Sequence, residues 1–226
     1  RTDTETINYT DVYVGDVWLV SGQSNIELQV NQANEGDVTV ETTNDLEIRQ
    51  FKITKGTDTA PSPNLPVGSF WSAATSNKVA NFSAAAFYFA RALKPHINVP
   101  IGIINNSYGG ARIESYMSDM MLGYDETAMK LANGEIERQP TLIYNKLVNP
   151  IVGFPIKGML WYQGESNADN MEDALVYGEL FKDMINGWRE VWGIGDFPFI
   201  WVQLPNQGEV DVETAPDTWD AWPQLR

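Results

Sequence analysis

The chain has no cysteine and a single histidine, His96. The first absence removes disulfides, thiolate nucleophiles and cysteine-held metals, and leaves the redox compartment open. The second means that any imidazole chemistry within this sequence must come from His96. Positive charge is scarce too: 15 Lys and Arg stand against 30 Asp and Glu, a formal net charge of −15. Nucleic acid and anionic membranes both need a basic face, so neither is expected as a partner. Strong attraction of polyanionic substrates is disfavoured for the same reason, although local basic pockets stay open. No apolar run approaches the roughly 20 residues of a membrane-spanning helix. The start, Arg1-Thr2-Asp3-Thr4-Glu5, lacks the basic-then-apolar plan of a signal peptide and reads as the interior of a longer protein. No metal or other cofactor is expected.

What is present is enough apolar residue, 43% of 226, for the core of one substantial α/β domain. Short continuous apolar runs at Val17–Val20, Val99–Asn105, Ile156–Tyr162 and Pro198–Leu204 predict strands buried on both faces. Residues 46–53 alternate apolar and polar side chains and predict a strand with one solvated face. Phe82, Ala85, Ala86, Phe89, Ala90 and Leu93 recur at helical spacing within Asn81–Lys94, and so do Leu175 through Trp192 within Glu172–Trp192. A short helix is expected over Thr141–Val148. Residues 31–44 and 55–68 read as surface loops, and 117–140 as an irregular rim over a site. Strands alternating with helices imply a parallel sheet covered on both faces.

Chemistry gathers where strands end. Gly22-Gln23-Ser24-Asn25 follows the first strand and opens a helix. A lone Gly-x-Ser reads first as a helix cap, but at the carboxyl end of a parallel strand a serine also stands where such sheets bind ligands. Asn106-Ser107-Tyr108-Gly109-Gly110, with Ile113-Glu114-Ser115-Tyr116 beyond it, follows the strand at 99–105. Trp161-Tyr162-Gln163-Gly164-Glu165-Ser166-Asn167 ends the strand at 156–162.

These three stretches, in this order, resemble the nucleophile, second and third blocks of the SGNH hydrolases, in particular the sialate O-acetylesterase-like carbohydrate esterases. The resemblance runs from about Val12 to Leu204. It implies a three-layer, doubly wound parallel α/β sheet of the flavodoxin-like SGNH type, with strand order 2-1-3-4-5. It also implies that residues 1–12 leave an upstream β-rich region and that 13–226 form an esterase domain, incomplete at its C-terminal end. The implied activity is removal of O-acetyl groups from a sugar, sialic acid or a plant-type glycan, through an acyl-enzyme on Ser24. The alternative is a glycan-binding module that keeps the fold without a general base. Secretion or a periplasmic location follows from the resemblance alone.

The same pattern assigns the oxyanion donors to the backbone N–H of Ser24, the N–H of Gly110 in preference to Gly109, and the Gln163 side-chain amide. The register among Gln163, Glu165 and Asn167 stays open. Asn25, Arg112, Glu165 and Tyr108 are expected to bind substrate or support the residues that do. Arg112 and Glu165 read either as a buried pair joining two loops or as independent surface charges. Trp161, Tyr162 and Tyr108 read either as a sugar floor or as packing. The family takes its base from a late Asp-x-x-His block, which this sequence lacks. His96, in Lys94-Pro95-His96, reads as an exposed loop residue, and the Asp and His are expected from a missing C-terminal segment.

Overall fold

The computed structural model describes residues 6–123, 136–205 and 221–225, with backbone alone at 223 and 224. In chain order the described elements are β1 (Asp16–Gly22), α1 (Ser24–Glu27), α2 (Gly36–Thr42), β2 (Asn44–Lys52), β3 (Phe70–Thr75) and α3 (Ala84–Leu93), followed by β4 (Ile101–Asn105), β5 (Gly158–Tyr162), α4 (Met171–Trp192), β6 (Phe199–Trp201) and α5 (Ala221–Leu225). The strands form one sheet in the order β3-β2-β4-β1-β5-β6. All pairings are parallel except the β2–β3 hairpin.

β1 occupies the centre, with Trp18 opposite Ile103 of β4 on one side and Gly158 of β5 on the other. Its unbroken apolar run suits that place, because both faces are covered. Successive side chains alternate between the two faces. Trp18 and Val20 join Ile101, Ile103 and Leu160 beneath Phe87 and Ala90 of α3. Leu19 joins Ile104, Met159 and Trp161 beneath Tyr177, Met184 and Trp188 of α4. α4 is well specified at both ends. Asn170 caps its start by accepting from the Asp173 N–H at 2.9 Å, and Gly193 ends it at φ +64°, the left-handed turn that glycine supplies most cheaply. Each large side chain it buries is worth about 2–3 kcal/mol of transfer free energy.

Several expectations need correcting. The parallel strands run 2-3-1-4-5 in their own sequence order, because β2 pairs with β4 instead of β1. Alternation tells which face of a strand is wet but not which neighbour it chooses. β3 is an added antiparallel strand on the outer side of β2; its sequence has no clean period of two, and half-exposed Trp71 marks it as an edge. Residues 31–44 hold a 3-10 turn at Val30–Gln32 and the helix α2 where a loop was expected. β6 is no buried strand: Phe199 is covered, while Ile200 and Trp201 are 43% and 59% exposed at the other sheet edge. Apart from these corrections, residues 6–13 reach β2 through the Asp11–Arg49 ion pair. The helix at 141–148 is a π-turn, Tyr144–Val148, running into a 3-10 turn. Residues 124–135 of the expected rim lie outside the described residues.

Candidate active site

Parallel strands point the same way, so the loops leaving β1, β2, β4 and β5 meet at one edge of the sheet. Three of them are cross-linked beneath Ser24 by a buried polar network. Gln23 follows Gly22, which holds φ +137° and comes so close to β5 that a β-carbon there would sit 2.0 Å from the Tyr162 carbonyl oxygen. That close approach lets the Gln23 N–H donate to the same carbonyl at 3.1 Å. The Gln23 side chain then spans two blocks: its Oε1 accepts from the Ser166 N–H at 3.1 Å and from Gln163 Nε2 at 3.2 Å, and its Nε2 donates to Ser166 Oγ. Ser166 Oγ in turn donates to the Gly110 carbonyl at 2.9 Å.

Gln163 is the pivot of this network. Its Nε2 faces Gln23 Oε1, the Ala111 carbonyl at 3.1 Å and Asn167 Oδ1 at 2.8 Å, and its Oε1 accepts from the Tyr177 hydroxyl at 2.8 Å. Backbone partners settle which way each amide points. The Ala111 carbonyl can only accept, and the Ser166 and Ile113 N–H groups, bonded to Gln23 Oε1 and Asn167 Oδ1, can only donate. Both amide hydrogens of Gln163 are therefore engaged inside the protein. The expected role of Gln163 as an oxyanion donor does not fit this geometry; the side chain fixes the loops instead.

Arg112 and Glu165 do not pair with each other, and neither is an independent surface charge. Arg112 is buried and its Nη2 meets Asp173 Oδ2, at the start of α4, at 2.5 Å. Glu165 Oε1 accepts from Asn25 Nδ2 at 2.5 Å, which pins the first turn of α1 to the β5 loop. Burial pushes the Glu165 carboxyl above its ordinary range, with hydrogen bonds from the backbone and from Asn25 pulling it back. Glu114, held by Asn167 Nδ2 at 2.9 Å, is also pushed up by burial. Tyr116 donates to the Gly22 carbonyl at 2.8 Å and the Asn106 carbonyl at 3.1 Å. Trp161 is 2% exposed among Tyr116, Phe181 and Trp188, so it is core and not a sugar floor.

Above the network Ser24 and Asn25 are exposed. Among the described residues no group hydrogen-bonds the Ser24 hydroxyl, and the N–H groups of Ser24, Gly109 and Gly110 have no protein acceptor. The glycine beside the serine is Gly109: a β-carbon there would lie 3.7 Å from Ser24 Cβ and 2.7 Å from Glu27 Oε2. A β-carbon on Gly110, which holds φ +80°, would face Glu137 instead. Gly109 thus turns its α-carbon toward Ser24, whereas Gly110 turns its own toward Glu137. Tyr108 stands next to it, its ring 4.9 Å below the Lys55 ammonium.

The sequence reading weighed Asn167 only as an alternative donor to Gln163; it missed Gln23, Asp173 and Tyr177, which lock the network with it, and it missed Lys52 and Lys55. Lys55 Nζ pairs with Glu27 Oε2 at 3.0 Å, and Lys52 Nζ donates to Ser107 Oγ at 3.4 Å. The lysines were findable, since Lys52 ends a strand parallel to β1 and so belongs to the same sheet edge as Ser24. His96 is exposed in a 3-10 turn just before β4, and β4 begins at the opposite edge. A cleft of about 590 Å³ also opens at that far edge, lined by Tyr13, Arg49, Trp71 and Pro100, away from Ser24.

Comparison with known proteins adds the following. Residues 14–222 match the family model described as carbohydrate esterase, sialic acid-specific acetylesterase. Human sialate O-acetylesterase is 30% identical over 246 residues, covering 98% of this chain and 45% of the human protein. The chain therefore spans about half the length of the curated relatives it matches. A solved carbohydrate acetylesterase from Xanthomonas citri is 37% identical with a TM-score of 0.79, over 93% of this chain and 45% of that one. An Arabidopsis thaliana protein, 18% identical with a TM-score of 0.53 over 84% of this chain and 74% of its own, shares the fold.

Proposed function

We propose that this chain, which belongs to the sialic acid-specific carbohydrate acetylesterase family, carries the nucleophile and oxyanion-binding part of a serine esterase that removes O-acetyl groups from a sugar. The observation that carries the reading is the contrast between Ser24 and its surroundings. The loops beneath it are locked by a closed network, while its hydroxyl and the N–H groups of Ser24 and Gly109 are left unspent at the carboxyl edge of the sheet. Unspent, preorganised donors beside a nucleophile are what an acyl-transfer site needs.

In this reading Ser24 Oγ attacks the acetyl carbonyl, forming one C–O bond while the carbonyl π electrons move onto oxygen. The Ser24 and Gly109 N–H groups receive that oxyanion; losing one such donor costs about 10²–10³ in rate. Collapse expels the sugar oxygen, which takes a proton and leaves as the alcohol. Water then repeats the attack on the acetyl-serine and releases acetate. The proton acceptor is not His96, which sits at the other end of the parallel strands. It is assigned to a group outside the described residues, and an Asp–His pair would fill the role.

The lack of a histidine beside Ser24 is also the one observation that favours the alternative, a sugar-binding module without turnover. Acetate release from O-acetylated sialic acid and from acetylated xylan by the intact protein decides between the two. The esterase reading expects release, its loss by about 10³-fold or more in Ser24→Ala, and near-normal rates in His96→Ala. Binding of the sugar without release by the wild-type protein would favour the module. A large loss in folded His96→Ala would show that the base is wrongly placed. The expectation of secretion or a periplasmic home stays a proposal, checked by fractionating the native source.

A further inference from the structure

The cleft at the amino edge of the sheet gets its depth from what the strands leave off its floor. Val17 of β1, Gly102 of β4, Arg49 of β2 and Ala73 of β3 lie in one register row. Side chains in one row share a face of the sheet. Two of the four positions therefore present only a hydrogen or a methyl where a core residue would stand. The Trp71 indole lies close over that gap: a β-carbon on Gly102 would sit 3.2 Å from its Cη2. On the same face α4 packs over Leu19, Met159 and Trp161, toward β5. The row stays open toward β3, and there the cleft of about 590 Å³ forms between Pro100, Phe154 and the segment Tyr9–Tyr13.

The segment that walls the cleft is held in a shape it would not take alone. Asp11 adopts φ +60°, in the left-handed region that strains a residue bearing a β-carbon. Arg49 fixes it there: Nη1 donates to the Asp11 carbonyl at 3.1 Å and Nη2 to Asp11 Oδ2 at 2.5 Å. The Tyr13 ring closes over the guanidinium, whose carbon stands 4.2 Å from the ring centre. Arg49 Nε donates to the Leu46 carbonyl at 3.2 Å. Two N–H groups of this guanidinium then have no acceptor among the described residues, and Asp11 Oδ1 has no donor. Donors and an acceptor thus stand side by side, as a neutralised pair, between the exposed rings of Tyr13, Trp71 and Phe154.

We propose that this cleft is a second binding site, separate from Ser24, for a neutral pyranose unit of a polysaccharide chain. The C–H faces of such a ring carry slight positive charge and pack on the electron-rich faces of aromatic side chains. Its hydroxyls each donate and accept, which suits a carboxylate and a guanidinium fork presented together. The Asp11–Arg49 pair cancels its own charge, so an ionised ligand gains nothing from it. The volume lies within the range of about 300–1,000 Å³ usual for small-molecule pockets. The seven residues of β1 separate the cleft from Ser24, about 20 Å at the rise of a strand. A sugar held here does not touch the reacting ester. The site retains a polymer on the protein, and it does not depend on the esterase reading of Ser24.

The test is titration of the intact protein with xylohexaose and with cellohexaose, which carry neither charge nor acetyl group. NMR reads the affinity, and hydroxyl-radical footprinting reads the cover over Tyr13 and Trp71. At least one of the two should bind with a Kd of about 1 mM or tighter and protect both rings. A hexamer of sialic acid, of like length but charged, should leave them unprotected. Tyr13→Ala and Asp11→Asn should each weaken binding by about tenfold while turnover of p-nitrophenyl acetate stays as in wild type. Trp71→Ala should weaken it at least as much. Trp71 also packs on Phe51, with 5.3 Å between ring centres, so the Tyr13 and Asp11 variants carry the test if that one unfolds. Failure of both neutral hexamers to bind overturns the proposal, as does binding that survives Tyr13→Ala and Asp11→Asn. Protection of both rings before any sugar is added also overturns it, by showing a protein segment seated in the cleft. Ser24→Ala should bind the hexamers as wild type does, whatever it does to acetate release.

Discussion

Replacing Asp173 with alanine should be among the most damaging single changes in this protein outside its core. The residue is 2% exposed at its side chain, and its partner Arg112 is 7% exposed, with 2.5 Å between Oδ2 and Nη2. Truncation leaves the buried guanidinium without its ion-pair partner, which costs about 3–5 kcal/mol when a buried pair is broken from one side. It also frees Asn170 Nδ2, which bonds the same oxygen at 2.6 Å. Against a typical domain stability of 5–15 kcal/mol the loss is a large fraction. At roughly 2–4 °C per kcal/mol for a chain of this size, the midpoint should fall by about 6–20 °C. The pair itself is not an efficient stabiliser, because Arg112 Nε and Nη1 and Asp173 Oδ1 are buried without hydrogen-bond partners among the described residues. Removing both charges together, as Arg112→Met with Asp173→Leu, should therefore recover most of the loss. Urea and thermal unfolding followed by tryptophan fluorescence measure the cycle. A single variant within about 1 kcal/mol of wild type, or a double variant no better than the worse single, would refute the account of the pair.

Three other changes test the network and the turn. Gly22→Ala, which would place a methyl 2.0 Å from the Tyr162 carbonyl oxygen at φ +137°, should prevent normal folding, seen as loss of the cooperative melt. Tyr177→Phe leaves Gln163 Oε1 and Trp161 Nε1 without their shared hydroxyl and should cost about 1–3 kcal/mol; acetyl release should fall further than folding explains, because Gln163 then loses its orientation. Glu114→Gln concerns pH. Burial raises the folded-state pKa, so between the ordinary glutamate value and the raised one the folded protein holds a proton that the unfolded chain has released. Wild-type stability through Glu114 accordingly falls as pH rises across that window, and the glutamine variant should gain on wild type as pH rises above the ordinary glutamate value of about 4. A gap that stays constant with pH in urea melts would contradict the assignment.

The parts legible in the sequence were those that depend on local pattern. Val17–Val20 announces a doubly covered strand, the Leu175–Trp192 spacing announces α4, and the glycines and small polar residues after each strand announce turns. Ser24 was legible because its position follows from the strand before it. What failed to show was whatever depends on partners far away in the chain. Arg112 finds Asp173 and Glu165 finds Asn25, and no spacing rule chooses between those pairings and the Arg112–Glu165 pair that proximity in the motifs suggested. Gln163 looks like a donor waiting for a ligand until Ala111, Gln23 and Asn167 are seen taking both its hydrogens. The exchange of neighbours around β2 was hidden for the same reason: an alternating strand fits beside β1 or beside β4 equally well.

The central place of β1 sets a timetable for synthesis. Its neighbours β4 and β5 come later in the chain, and the Gln23–Gln163 bond that fixes the site joins residues 140 positions apart. At roughly 5–20 residues per second, about 7–28 seconds separate the emergence of the serine loop from that of its anchor. During that interval the central strand has neither partner until β4 emerges, and its β5 side then waits as an unpaired edge. Ribosome-bound nascent chains halted before Gly158 should therefore expose Val17–Val20 to chaperones, and the three-loop network should first protect Ser24's neighbours from proteolysis once β5 has cleared the exit tunnel. The residue that defines the site is translated first and becomes organised last.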